Sequence, residues 1–174
     1  MDDLNEIRQN IQMIFLDLSL EVTPKLKLLV HHARVLEEAA NKLENIESQN
    51  SVESRLARYS QLIREHNIRA YEHVRSIRAE MEQVLSEKSN DKNTVCLYLK
   101  AWRGMLNSET SRILAVVVSA AELMKLSLKH SYRSEKNADH SAQMASPLEE
   151  IITIAAELRD RLKHDFVPEP QFDC

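Results

Sequence analysis

Apolar residues recur along most of this chain in alternating steps of three and four, the spacing that places them on one face of an α-helix. The pattern falls into four blocks separated by polar stretches. These blocks predict helices at approximately residues 3–47, 51–87, 91–131 and 147–164. The sequence therefore predicts an all-α fold.

The first block contains an irregularity in its apolar spacing. Its stripe runs from Leu4 to Leu18 and resumes at Val22, with two consecutive four-residue steps at the junction. Pro24 lies inside this junction, and proline inside a helix removes a backbone donor and clashes with the preceding turn. We expect a kink or a break near residues 20–23. One bent helix and two separate helices both fit this pattern.

Polar clusters and capping signals divide the remaining blocks. Asn50 followed by Glu53 has the form of a helix start. The polar residues 89–91 separate the second helix from the third. Residues 132–145 have little apolar period, which favours a connecting loop that could contain a short helix. Ser146-Pro147-Leu148-Glu149 is typical of a helix N-terminus, with a hydroxyl cap, proline in the first turn and a glutamate that completes the capping box. We therefore expect the fourth helix to begin there.

These helices are too long for a compact sphere. The second predicted helix, at 1.5 Å per residue, is about 55 Å long, whereas a globule of this size has a radius of gyration of about 16 Å. We expect a single domain at residues 1–166, folded as an elongated antiparallel bundle of about four long helices, and a C-terminal tail at residues 167–174. The third helix is apolar around most of its circumference after Ile113, so we expect it to be the central one.

Composition and charge narrow the range of functions. The chain of 174 residues has one glycine, and its 23 Lys and Arg are outnumbered by 27 Asp and Glu, so nucleic-acid binding is disfavoured. Cys96 and Cys174 are far apart, without the spacing of a metal or redox motif, which favours a reducing compartment. The acidic start is unlike a secretory signal, and the most apolar window is too short to span a bilayer. These features predict a cytoplasmic protein, with a nuclear location as the alternative.

No catalytic, cofactor-binding or metal-ligating set emerges from the residue pattern. His66 and His73 lie two turns apart on the second helix, so a metal would need ligands from another helix, and no Glu-x-x-His pair is present. The chain has neither a glycine-rich phosphate loop nor a nucleophile elbow. The second helix carries six arginines, but six glutamates nearly cancel their charge. We interpret that helix as a solvated, ion-paired face.

Four residues are candidates for contact with a partner. Trp102 lies within the third apolar stripe and is either a core residue or an interface anchor, since tryptophan is enriched at binding hot spots. The other three, Phe166, Val167 and Phe172, follow the last helix among prolines and acidic residues. Such a segment could dock in a partner's groove, fold back on its own bundle or be disordered.

The leading functional prediction is a non-enzymatic adaptor or scaffold that binds partner helices or peptides through the bundle grooves. One alternative is an obligate coiled-coil subunit of a larger cytoskeletal, trafficking or chromosome-associated complex, because three-four spacing also suits pairing between chains. A second is a peripheral module that uses the arginine-bearing helix on an anionic membrane. The oligomeric state remains open at this level.

Overall fold

Long helical rods make up all the regular structure in the described part of the chain. The computed structural model describes residues 2–43, 52–87, 90–129, 135–164 and 166–169. The α-helices there are α1 (Asp2–Asp17), α2 (Thr23–Asn41), α3 (Val52–Ser86), α4 (Lys92–Arg103), α5 (Ser111–Leu128) and α6 (Glu135–Lys163). Two π-helical segments, Leu18–Val22 and Gly104–Thr110, join α1 to α2 and α4 to α5. The first rod is α1, the first π segment and α2; the second is α3; the third is α4, the second π segment and α5; and the fourth is α6. The predicted all-α bundle of about four long helices is confirmed.

The four rods pack in a ring in which α2 contacts α3, α3 contacts α5, α5 contacts α6, and α6 contacts α2. Ion pairs show the antiparallel course of the last rod: Asp17 pairs with Arg161, and Lys25, two turns further along, pairs with Glu157 at 2.5 Å. The stripes point inward and form one continuous core. Large side chains that are fully buried in it include Trp102, Ile11, Leu18, Leu26, Leu29, Leu36, Leu56, Ile63 and Ile77.

The irregular junction in the first rod is a π-helical turn in a continuous helix. Leu18 and Val22 are both completely buried, so the four-residue step between them stays on the core face. A π-helical turn contains more residues than an α-helical turn, and this geometry allows the step. The Thr23 hydroxyl donates to the carbonyl of Leu18 at 2.7 Å, five residues back. Of the two predicted arrangements, the structure therefore has the single helix, with Pro24 in the first turn of α2.

The third rod contains a second π-helical segment, which the sequence analysis did not predict. Thr110 ends this segment and is completely buried, and its hydroxyl donates to the Met105 carbonyl at 2.8 Å, again five residues back. In both π segments, therefore, a threonine hydroxyl donates a hydrogen bond to a main-chain carbonyl of the widened turn.

The predicted start of the fourth helix at Ser146 is wrong, as is the predicted loop over residues 135–145, while residues 132–134 lie outside the described residues. Helix α6 begins at Glu135 and continues through Pro147 to Lys163. Its buried stripe already includes Ser141 and Met144, which precede Leu148 at steps of three and four. Burial of this extra part of the stripe offsets the loss of one backbone hydrogen bond at the proline.

Among the described residues, one end of the bundle has three helices instead of four, because α6 stops at Lys163 while α1 and α4 continue. The Arg8 guanidinium donates to the Glu87 carbonyl at 2.7 Å, and Lys92 pairs with Asp3 at 3.2 Å, so these contacts close the end of the bundle. Asp91 caps α4 by accepting from the Thr94 amide at 2.7 Å, and hydrogen bonding to Thr94 lowers the pKa of Asp91. The predicted cap at Asn50 lies outside the described residues.

Candidate functional site: a basic cleft beside the end of α6

Trp102 is a core residue. The sequence leaves two interpretations open, a core residue and an interface anchor, and the structure has the first. Its side chain is completely buried, and its indole Nε1 donates to Glu80 Oε2 at 2.8 Å. The ring stacks against Tyr98, with centroids 5.4 Å apart and 28° between the planes. Because Tyr98 is partly exposed, it connects the buried indole to the surface of α4.

The start of the C-terminal tail folds back onto the bundle. Val167 is completely buried and Phe166 packs against the core. Asn107, in the second π segment, holds the Val167 backbone at both polar atoms: its Nδ2 donates to the carbonyl at 3.1 Å, and its Oδ1 accepts from the amide at 3.2 Å. Phe172, the remaining candidate, lies outside the described residues.

Two adjoining clefts open beside this docked tail. The larger, of about 550 Å³, lies between α4, the second π segment and the end of α6. The smaller, of about 410 Å³, continues along α5 and α6. They share four lining residues, so they form one surface feature, which we call the basic cleft. The residues common to both are Asn107, Ser108, Lys163 and His164.

The basic cleft concentrates positive charge on a protein whose net charge is −4. Among the described residues, its lining has five lysine and arginine side chains and one carboxylate, that of Glu169. Arg159 is paired with Asp160 at 2.9 Å, and this contact lowers the pKa of Asp160. The five cations come from α4, α5 and α6: Lys100, Arg103, Arg112, Arg159 and Lys163.

Three of these cations are outside the ion pairs formed by the described residues. Arg103, Arg112 and Lys163 form no ion pair with a carboxylate in the described ranges. The Nε atom of Arg103 is buried, and among the described residues it has no hydrogen-bond acceptor. A buried donor without an acceptor costs free energy.

Helix α4 extends the cleft toward the three-helix end with an apolar side chain. Leu97, Lys100 and Gly104 follow each other at steps of three and four, so they share one side of α4. Leu97 is 67% exposed, although it is a large apolar residue. On the side of Lys163 toward α5, the fourth rod covers this face of the third rod. On the side toward α4, helix α6 has ended and does not cover it. The site therefore combines a basic rim with an exposed apolar contact.

The cleft also contains a serine, a histidine and a glutamate. No hydrogen bond joins the side chains of Ser108, His164 and Glu169 among the bonds of the described residues. A serine nucleophile requires a hydrogen-bonded base that is itself held by a third group. The arrangement is suited to binding an anion.

On α3, the described contacts of His66, Arg64 and Arg78 are with other parts of the protein. His66 lies 2.9 Å from the Leu62 carbonyl, and no group of three potential metal ligands occurs within the described part of the chain. Arg64 pairs with Glu37, and Arg78 donates to Ser19 at 3.0 Å and to Thr23 at 3.3 Å. These two arginines therefore face neighbouring helices, which reduces the charge that α3 presents to a membrane.

Two observations bear on the compartment. Cys96 is buried on α4 and is disulfide-bonded, while Cys174 lies outside the described residues. None of the described helices combines the length and the apolar character needed to cross a bilayer. The predicted cytoplasmic location follows from two separate thiols and from an N-terminus unlike a secretory signal, and it remains a prediction.

Comparison with known proteins adds no functional assignment. No protein-family model matches the chain, and no curated protein or solved structure is significantly similar to it. Inference about function therefore depends on the geometry of the chain's own surfaces.

Proposed function

We propose that this protein is a non-enzymatic interaction module that binds an acidic amphipathic helix of a partner protein in the basic cleft. The observation that carries the proposal is the cluster of five cations around one open cleft, whose described lining residues include a single carboxylate, on a chain that is acidic overall. Complementary charge gives specificity and speeds encounter between partners.

A helical occupant fits the shape of the site. The cations extend from Lys100 to Arg112, a rise of about 18 Å along the third rod, which a partner helix of about twelve residues would match. Leu97 provides an apolar contact on the same side, so the complementary ligand has apolar residues on one face and carboxylates beside them.

Charge reversal at the rim of the cleft tests the proposal. The ligand is a synthetic amphipathic peptide with leucines on one face and glutamates on the other, and its binding is followed by fluorescence anisotropy. We expect the double variant Arg112→Glu/Lys163→Glu to bind about tenfold more weakly, because two favourable charge contacts become repulsive. Binding of the peptide to the unaltered protein should also weaken as salt rises.

A matched control separates the cleft from net charge. Arg55→Glu/Arg75→Glu makes the same change in charge on exposed positions of α3, outside the cleft, and should leave the affinity within about twofold. Equal losses in both double variants would contradict the proposal, as would the absence of peptide binding. A third measurement replaces the peptide with phosphatidylserine vesicles. If the vesicles bind through the cleft and the peptide does not, the ligand is an anionic lipid surface and the proposal is wrong.

A further inference from the structure

Helix α4 carries a disulfide bond that the proposed function does not use. Cys96 is 1% exposed, and its sulfur is disulfide-bonded. The sequence has two cysteines, so the partner in a bond within one chain is Cys174. A bond of this kind ties the C-terminal tail to α4.

The described start of the tail leads into the basic cleft. Val167 is held at the second π segment by two hydrogen bonds, and Glu169, two residues further on, lines the cleft together with Lys100. Lys100 and Cys96 are one helical turn apart, so they lie on the same side of α4, about 6 Å apart along its axis. The five-residue step from Glu169 to the second cysteine extends to at most about 18 Å. The tail is therefore long enough to pass from the cleft to Cys96.

The tail has the same chemistry as the ligand proposed for the cleft. Glu169 is the one carboxylate among the described lining residues, which it shares with five cations. Residues 167–174 contain the acidic Glu169 and Asp173, the apolar Val167 and Phe172, and no lysine or arginine. A tail of this composition is complementary in charge to the site that an acidic amphipathic partner would use.

The number of attachments sets how strongly the tail competes with a partner. A segment that is fixed at both ends stays near its site at a high effective concentration, whereas a segment with a free end samples a larger volume. The attachment at Val167 consists of packing and hydrogen bonds, so it does not depend on the redox state. The disulfide at Cys96 adds a second attachment, which reduction removes.

We propose that a disulfide between Cys96 and Cys174 holds the acidic tail beside the basic cleft as an intrachain competitor, and that reduction of this bond raises the affinity of the cleft for an acidic partner helix. The inference rests on the function proposed above and names its regulation. The cleft keeps an open volume of about 550 Å³ beside the docked tail, so the oxidised protein binds the partner more weakly but still binds it.

A small dithiol supplies the electrons for this step. One thiolate of the reductant attacks a sulfur of the protein disulfide, which breaks the bond between the two cysteines and forms a mixed disulfide. The second thiol of the reductant then displaces the protein sulfur. Two electrons and two protons pass to the protein, which gains two thiols, and the reductant becomes a cyclic disulfide.

Fluorescence anisotropy with the acidic peptide measures the effect on the full chain. We expect the reduced protein to bind about fivefold more tightly than the oxidised protein, because the competing tail loses one attachment. Cys174→Ser should bind as tightly as the reduced protein, whether or not dithiothreitol is present. Intact mass without reductant should show the oxidised protein as a 20.1 kDa monomer.

A variant at Glu169 separates the effect of the carboxylate from that of the tether. Oxidised Glu169→Gln should bind the peptide several-fold more tightly than the oxidised unaltered protein, and reduction should then add little. Glu150→Gln makes the same change at an exposed position of α6 outside the cleft. This matched control should keep the full response to reduction.

The outcomes distinguish this inference from the proposed function. Equal peptide affinity in the oxidised, reduced and Cys174→Ser proteins, or tighter binding by the oxidised form, would overturn the redox inference and leave the proposed function intact. A disulfide-linked dimer in the oxidised sample would overturn it as well, because the bond would then join two chains. Peptide binding by none of the forms would contradict the proposed function and this inference together.

Discussion

Asn107 connects the irregular turn of the third rod to the end of the fourth. Its amide group satisfies both polar atoms of the Val167 backbone, so the chain just beyond α6 is fixed against the second π segment. Buried Val167 and partly buried Phe166 then act as part of the core. One side chain thereby sets where the basic cleft begins and which residues can line it.

Gly104 offers a direct test of what the second π segment requires. Its φ is −60°, and a Cβ atom at this position would meet nothing within 4 Å, so glycine is needed there neither for conformation nor for space. We expect Gly104→Ala to increase the free energy of unfolding by about 0.5–1 kcal/mol, since alanine loses less conformational entropy in a helix. Urea denaturation measures this change.

A comparison variant gives the opposite sign at a neighbouring position. Asn107→Ala removes the two hydrogen bonds to Val167 and should decrease the free energy of unfolding by about 1–2 kcal/mol. A loss of stability in Gly104→Ala would show that the π-helical turn depends on the flexibility of glycine, contrary to the geometry.

At the scale of the elements, buried residues reveal where the rods depart from α-helical geometry. Each π segment coincides with three consecutive four-residue steps in the buried stripe: Ile14, Leu18, Val22 and Leu26 in the first rod, and Trp102, Leu106, Thr110 and Leu114 in the third. The first series is entirely apolar, which made the irregularity visible in the sequence. The second includes a polar threonine, whose burial only the structure shows.

The fourth rod shows why a capping signal can mislead. Ser146-Pro147-Leu148-Glu149 has the residues of a helix start, but such a start forms only where the preceding chain leaves the helix. Buried Ser141 and Met144 instead extend the stripe backwards from Leu148 and keep the chain helical. The burial of this stripe therefore outweighs the local preference for a helix start at Ser146. The local sequence alone does not determine which of these two effects is larger.

Replacing the internal proline of α6 distinguishes the two interpretations. In a continuous helix, Pro147→Ala restores an amide donor to the Gln143 carbonyl, so we expect the free energy of unfolding to rise by about 1–3 kcal/mol, less what the buried ring contributes to packing. At a first helical position the same change would remove a preferred residue and give no gain. Chemical denaturation followed by circular dichroism measures the difference, and a neutral or lower stability would favour the start at Ser146.

At the scale of the whole molecule, the basic cleft depends on where the fourth rod ends. Its cations are far apart in the sequence, with Arg103 on α4 and Lys163 on α6, so no local pattern brings them together. The periodicity predicted the rods and their antiparallel order. It did not predict which side of the third rod would be uncovered, because that follows from the length of α6 and from the docking of Val167.

The unequal ends of the bundle predict a gradient of local stability. In the four-rod section, α2 and α5 each contact two neighbouring rods, whereas beyond Lys163 the segments α1 and α4 have lost α6 as a neighbour. Fewer packed neighbours lower the free energy of local opening. We therefore expect backbone amides of Ile11 and Leu99 to exchange hydrogen at least about tenfold faster than those of Leu29 and Val117, as measured by NMR. The acidic peptide should slow exchange at Leu99 when it binds beside α4. Uniform exchange along the rods would instead mean that the three-helix end is as well packed as the middle, leaving no stability for a partner helix to supply there.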